Sequence, residues 1–155
     1  MQYWLFKTEP DEFSIDDLKA KNDEIWDGIR NYQARNFLRD QVALGDLVFI
    51  YHSSCKQPGI VGIAKVIKTA FADPSQFDAQ SKYFDAKATP DNPRWISVTL
   101  EFVEKLRIIS LTKLKADHQL ADMHLVQKGS RLSIQPVRES EWQYILDKYT
   151  SNLLK

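Results

Sequence analysis

Between Ile96 and Phe102 the chain alternates without a break. Ile96, Val98, Leu100 and Phe102 fall on one side, and Ser97, Thr99 and Glu101 on the other. A period of two marks a strand with one face on a core. From Glu139 to Tyr149 the pattern changes. Trp142, Ile145, Leu146 and Tyr149 recur at the spacing of one helix face, and Glu139 and Glu141 suit the positive end of the helix dipole. The core must therefore be shared between a sheet and helices.

Other elements fit between these two. Gln2 to Lys7 reads as a first strand. Ser14-Ile15-Asp16-Asp17 opens a helix, with Ser14 as N-cap, Asp17 completing a variant capping box, and Phe13 and Leu18 placed for a hydrophobic staple. That helix should end before a turn at Trp26-Asp27-Gly28. A second helix is predicted from about Tyr32 to Gln41, capped by Asn31. Its apolar side is Ala34, Phe37 and Leu38, and Tyr32, Arg35, Asn36 and Arg39 share a polar, basic stripe.

Leu47 to Tyr51 and Gly59 to Ile67 are apolar runs of strand type, and Gly62 signals a bulge or a close backbone approach. Phe71 to Pro93 reads as a long surface excursion with at most one helical turn, after Pro74; such loops serve as lids or as plain connections. Ser110 caps a short helix through Leu114, Asp122 to Gln127 is weakly patterned, and Arg131 to Val137 alternates as a strand. Short strands interleaved with helices, joined irregularly, favour a small, curved, mixed sheet or open barrel over a regular βαβ stack.

At 155 residues one domain is expected. No apolar run approaches the roughly 20 residues needed to cross a bilayer, and Met1 to Lys7 lacks the features of a signal peptide, so a cytoplasmic location without membrane contact is expected. Cys55 is the only cysteine, leaving no internal disulfide and no thiolate zinc site. Equal numbers of basic and acidic residues, 21 each, argue against charge-driven wrapping of nucleic acid but leave room for a local basic patch.

Catalytic signatures are missing. The sequence contains no GxSxG, HExxH, GxxxxGK[ST] or GxGxxG, and His52, His118 and His124 show no metal-ligand spacing. No metal or cofactor is expected. His52 and Cys55 permit a thiol nucleophile with a base, but a spacing of three in a loop favours a small incidental thiol. Lys7 and Glu9 can share one side of a strand end as reacting groups, or be a solvated end turned by Pro10; spacing leaves both open.

The segment Trp26 to Asn36 is richest in recognition chemistry. Trp26 and Tyr32 offer rings for stacking, Asn31, Gln33 and Asn36 offer amides that read donor and acceptor edges, and Arg30 and Arg35 can hold phosphate. A core tryptophan beside a polar helix face fits the same residues, and composition favours binding only slightly.

These residues also carry a resemblance. Trp4-Leu5-Phe6-Lys7-Thr8-Glu9-Pro10 with Phe13 to Leu18 resembles the opening of EVE-domain proteins. The match continues through Trp26 to Asn36, Tyr51 to Lys56, Pro58-Gly59-Ile60, Asp91 to Trp95 and Arg131 to Pro136. The resemblance implies an α+β, PUA-like and YTH-like fold: a curved, mostly antiparallel, β-barrel-like sheet with flanking helices. It also implies a pocket for a flipped-out modified base, such as a methylated cytosine or adenine in DNA or RNA, read without catalysis by a monomer.

By that analogy Trp26 is the stacking wall. Lys7, Thr8, Asp27, Asn31, Tyr51, His52 and Ser53 form rim or floor, joined by Tyr32, Gln33, Ser133 and Gln135. Arg30, Arg35 and Arg131 lie near the nucleic-acid backbone. Thr8 stands where the family often has Ser, and Ala116 to Gly129 matches poorly. An enzyme acting on a nucleotide or small metabolite, or an adaptor docking partners on the Phe71 to Pro93 segment, are the alternatives.

Overall fold

The alternating segment opens a strand twice as long as its own pattern predicts. In the computed structural model, which describes residues 1–150, β5 runs from Ile96 to Ser110 and pairs antiparallel with β4, Gly59–Ala72. Each outlasts its local hydrophobic signal because the other supplies the ladder, from Gly59 opposite Ser110 to Ala72 opposite Ile96. Val98 and Leu100 are fully buried as expected, but Ser97 is buried too, so both faces of β5 are covered at that end.

The remaining strands are β1 (Tyr3–Thr8), β2 (Asp23–Trp26), β3 (Leu47–His52) and β6 (Ile134–Val137). The order across the sheet is β2-β5-β4-β3-β1-β6. Among the described residues only β1 with β3 is parallel, and every other pairing is antiparallel. The expected mostly antiparallel sheet is present, and it stays open, with β2 and β6 as its edges. The strand β2 lies where the first helix was expected to run on towards the turn at Trp26; it forms because β5 offers it an edge, from Asp23 opposite Glu101 to Trp26 opposite Val98. At the other edge, β6 starts later than the alternation from Arg131 suggests, although Lys7 N–H still donates to the Ser133 carbonyl at 2.9 Å.

Among the described residues four helices flank the sheet: α1 (Ile15–Lys21), α2 (Tyr32–Asp40), α3 (Leu111–Ala116) and α4 (Glu139–Tyr149). Their starts follow local chemistry. Ser14 Oγ accepts from Asp17 N–H and Asp17 Oδ2 accepts from Ser14 N–H, closing the capping box. Asn31 Oδ1 accepts from Ala34 N–H at 3.0 Å, and Ser110 Oγ accepts from Lys113 N–H at 3.2 Å. The register of β4 against its neighbours slips around Ile60 to Gly62, and Ile15 of α1 occupies the space that a Cβ on Gly62 would need. The expected bulge and the close approach are both there.

Two apolar layers result. Trp4, Phe6, Leu18, Trp26, Leu38 and Ile50 belong to one, on the side of α1 and α2. Leu5, Phe49, Tyr51, Leu114, Trp142 and Ile145 belong to the other, on the side of α3 and α4, where Trp142 stacks on Phe49. Because β1 contributes to both layers, it reads as a continuous apolar run.

Candidate functional site

The two edges of the sheet meet at one cleft of about 780 Å³. Trp26, at the end of β2, approaches it from one edge, and Arg131 and Ser133, just before β6, from the other. Lys7 and Thr8, at the end of β1, lie between them. The turn from Asp27 to the Asn31 cap, Ser53, and Tyr83 of the long excursion complete the wall.

Backbone contacts fix this arrangement. Thr8 accepts from Ser53 N–H at 3.0 Å through its carbonyl, and its hydroxyl donates to the Phe13 carbonyl at 2.7 Å. The hydroxyl proton of Thr8 is thus engaged within the fold. Lys7 is half-buried, with its ammonium 5.7 Å from the centre of the Tyr51 ring, and desolvation lowers its pKa.

Trp26 is only 6% exposed. It packs against Phe6 at 6.0 Å and edge-on with Phe13 at 5.9 Å. The indole borders the cleft but belongs to the core, too enclosed to offer a whole ring face. Tyr83 is a half-buried ring of the same lining, more accessible than Trp26, and its place in the cleft is not coded locally.

Tyr83 is seated by Gly28. With φ at +80°, Gly28 takes a backbone conformation that side chains disfavour, and a Cβ there would stand 2.7 Å from the Tyr83 ring. Desolvation raises the Tyr83 pKa, and its hydroxyl lies 3.4 Å from Glu12 Oε2. Glu12 also pairs with Lys82.

Arg30 secures the same loop. Its Nε and Nη2 donate to the Tyr83 carbonyl, Nη2 also to Ser75 Oγ, and Nη1 to the Ile29 carbonyl and Asp73 Oδ2. The five guanidinium protons have five protein contacts. Arg30 lines the cleft, yet its donors serve the fold rather than a phosphate.

The excursion is itself organised, contrary to a simple surface loop. Asp73 and Gln76 are fully buried. Gln76 Oε1 accepts from the backbone of Arg94 and Trp95, while its Nε2 donates to the carbonyls of Asp73 and Trp95. One glutamine thus ties the two ends of the loop together. The expected helical turn is a single 3₁₀ turn, Pro74–Phe77.

Six residues predicted for the site lie outside the lining. Tyr51 is buried in the second apolar layer, where desolvation pushes its pKa up to about 12. His52 Nε2 accepts from Ile15 N–H at 3.1 Å and so caps α1. Tyr32 is exposed but stacks on Trp95, with the Arg35 guanidinium over its ring. Arg35 also donates to the Arg94 carbonyl. Gln33 is exposed on the first turn of α2. Gln135 is buried, and its amide donates to Ser130 Oγ and the Leu132 carbonyl, shaping the loop that carries Arg131.

Asp27 and Glu9, both in the lining, differ from the other acidic residues nearby. Glu12 pairs with Lys82, Glu24 with Lys21 and Asp73 with Arg30. Among the described residues Asp27 makes no ion pair and no hydrogen bond to another residue, and it is open to solvent. Desolvation, followed by repulsion from Asp73 and Glu24, raises its pKa.

The sequence matches the family model described as EVE domain over residues 2–148. Thymocyte nuclear protein 1 of Mus musculus is 44% identical over 164 residues, spanning 93% of this chain and 72% of that protein. A crystal structure from Pseudomonas syringae superposes with a TM-score of 0.90 at 52% identity, covering 94% of this chain and 97% of that one. The human THYN1 protein, solved in complex with DNA containing 5-methylcytosine, superposes with a TM-score of 0.90 at 41% identity, covering 97% of this chain and 98% of that one.

Proposed function

The chain belongs to the EVE-domain family, and from that membership we propose that it is a non-catalytic reader of a modified nucleobase in DNA or RNA. The observation that carries the reading is the cleft between the two sheet edges, in a fold shared with a relative solved on DNA containing 5-methylcytosine. Its lining combines the edge of Trp26, the ring of Tyr83, the uncommitted polar groups of Asp27 and Lys7, and Arg131 at the rim.

Magnitudes set the mode of binding. Extracting a base from a duplex costs a few kcal/mol, and stacking on an aromatic ring returns about 1–3 kcal/mol per base. A methyl-sized contact adds about 1–3 kcal/mol of discrimination. With equal acidic and basic counts, the chain has little general attraction to phosphate, so single strands and bases already unpaired are favoured. The Cys–His alternative is weakened because His52 caps α1 and no hydrogen bond joins it to Cys55.

Fluorescence anisotropy with single-stranded and duplex oligonucleotides, carrying 5-methylcytosine, N6-methyladenine or the unmodified bases, tests this reading. Saturable binding with a preference for a modified base supports it. Equal affinity for modified and unmodified strands overturns it. Trp26→Phe is the informative indole variant, because truncation to alanine would also disturb the core.

A further inference from the structure

Resting on the base-reader assignment, we infer that His52, although outside the lining, is a positioning residue for the bound base. Its neutral ring anchors the start of α1 and so holds one wall of the cleft; protonation of that ring releases the wall and weakens binding. His52 Nε2 accepts from Ile15 N–H at 3.1 Å. Ile15 is the first residue of α1, where an N–H has no partner inside the helix. The chain just ahead of it supplies Glu9, Glu12 and Phe13 to the lining.

That stretch is short and tied at both ends. The Glu9 carbonyl accepts from the N–H groups of Glu12 and Phe13, and the Phe13 carbonyl accepts from the Thr8 hydroxyl at 2.7 Å. Phe13 then stands edge-on to Trp26, with ring centres 5.9 Å apart. On the α1 side the anchor is Ile15, whose side chain fills the space beside Gly62 and whose N–H meets His52 on β3. Ser53, the residue after His52, also lines the cleft, and its N–H donates to the Thr8 carbonyl at 3.0 Å. One imidazole therefore joins the two chain segments that flank the Thr8 end of β1.

An imidazole nitrogen accepts only when it is unprotonated. A protonated ring would turn an N–H towards the Ile15 N–H, donor against donor. Burial is the largest influence on His52 and favours the neutral ring. The charged groups acting on it are Asp16 of α1, which favours the proton, and Lys105 of β5, which opposes it; the two pair with each other at 2.7 Å. Its cross-strand neighbours, Thr8 on β1 and Gly59 on β4, carry no charge. Histidine changes charge between about pH 5 and 8, so mild acid is enough to test the anchor.

The experiment follows fluorescence anisotropy of a single-stranded oligonucleotide carrying 5-methylcytosine, at fixed ionic strength and at pH 7.5, 6.5 and 5.5. The parent should lose about threefold to tenfold in affinity across that range, the size of one net hydrogen bond. His52→Gln supplies an acceptor that does not titrate; it should bind within about threefold of the parent at pH 7.5 and keep its affinity at pH 5.5. His52→Leu has no acceptor, and should bind at every pH as weakly as the parent does in acid. His124 is a second histidine close to the lining, with Nδ1 3.3 Å from the Ser130 hydroxyl, and His124→Gln should keep the parental decline.

Circular dichroism at each pH separates unfolding from weaker binding, and the comparison of the parent with His52→Gln stands even where His52→Leu fails to fold. A decline of equal size in the parent and His52→Gln, or one abolished by His124→Gln alone, overturns the positioning role while leaving the base-reader function intact. Absence of binding by the parent at pH 7.5 overturns the base-reader assignment, and this inference with it.

Discussion

Arg30 Nη1 donates to Asp73 Oδ2 at 2.9 Å across 43 residues of sequence, and the carboxylate it meets has no exposed surface. This pair, with Gly28 N–H on the same carboxylate oxygen, joins the turn that carries Asp27 to the loop that carries Tyr83. Removing one partner of a buried pair leaves an uncompensated charge and costs about 3–5 kcal/mol. Arg30→Met should lower the unfolding free energy in urea by that amount. Adding Asp73→Asn should recover part of it, because the stranded charge is gone. A double variant as unstable as the sum of the singles would show that the two residues act independently.

Gly28 and Tyr83 make a second testable couple. Gly28→Ala carries a backbone cost of about 1–2 kcal/mol from its positive φ, and about 1–3 kcal/mol more from pushing the Tyr83 ring aside. In a Tyr83→Ala background the second contribution disappears. A double-mutant cycle read by denaturant unfolding should therefore give a coupling of about 1–3 kcal/mol. Hydrogen exchange across residues 73–95 should rise in Gly28→Ala, since the displaced ring loosens that loop.

Local chemistry was legible in the sequence, and long-range commitments were not. The caps at Ser14 and Asn31 and the stripe of α4 depend on neighbours within a turn or two, so spacing reveals them. The strand β2 has no pattern of its own, because the free edge of β5 decides it. Gln76 looks like any loop glutamine until its partners at Arg94 and Trp95 are known. Arg30 beside Asn31 suits a phosphate equally well, and its structural role depends on Asp73 and Tyr83, far along the chain. Within the site, Lys7, Thr8, Asp27, Asn31, Ser53, Arg131 and Ser133 were legible through family resemblance and do line the cleft. Tyr83 was missed; the signal that could have found it was the length of the excursion, with aromatics in it and a glycine turn to receive one.

Trp26 should prove more important to stability than its place on the cleft suggests. With 6% of its surface exposed, and Phe6 and Phe13 against it, truncation to alanine opens a cavity costing about 3–5 kcal/mol. Trp26→Phe keeps most of the packing and should cost far less, while narrowing the wall of the cleft. Urea midpoints for the two variants, measured beside oligonucleotide affinity, separate the contributions. Equal stability of Trp26→Ala and the parent would mean that the indole is not part of the core.

His52 supplies a pH test of the α1 cap. To accept from Ile15 N–H, Nε2 must be unprotonated, so the fold favours the neutral ring. Burial lowers the His52 pKa; Asp16 acts in the opposite direction, and Lys105 adds to the lowering. The unfolded chain titrates near 6.5, so below that pH it binds a proton that the folded chain resists. The contribution of His52 is therefore complete above about pH 6.5 and declines as pH falls through its lower folded value. His52→Gln retains an acceptor that does not titrate in this range. The unfolding free energies of parent and variant, compared in urea at pH 7.5, 6 and 5, should converge or cross in favour of the variant as acid is added. A difference that stays constant across those pH values would mean that protonation of this ring is not coupled to folding.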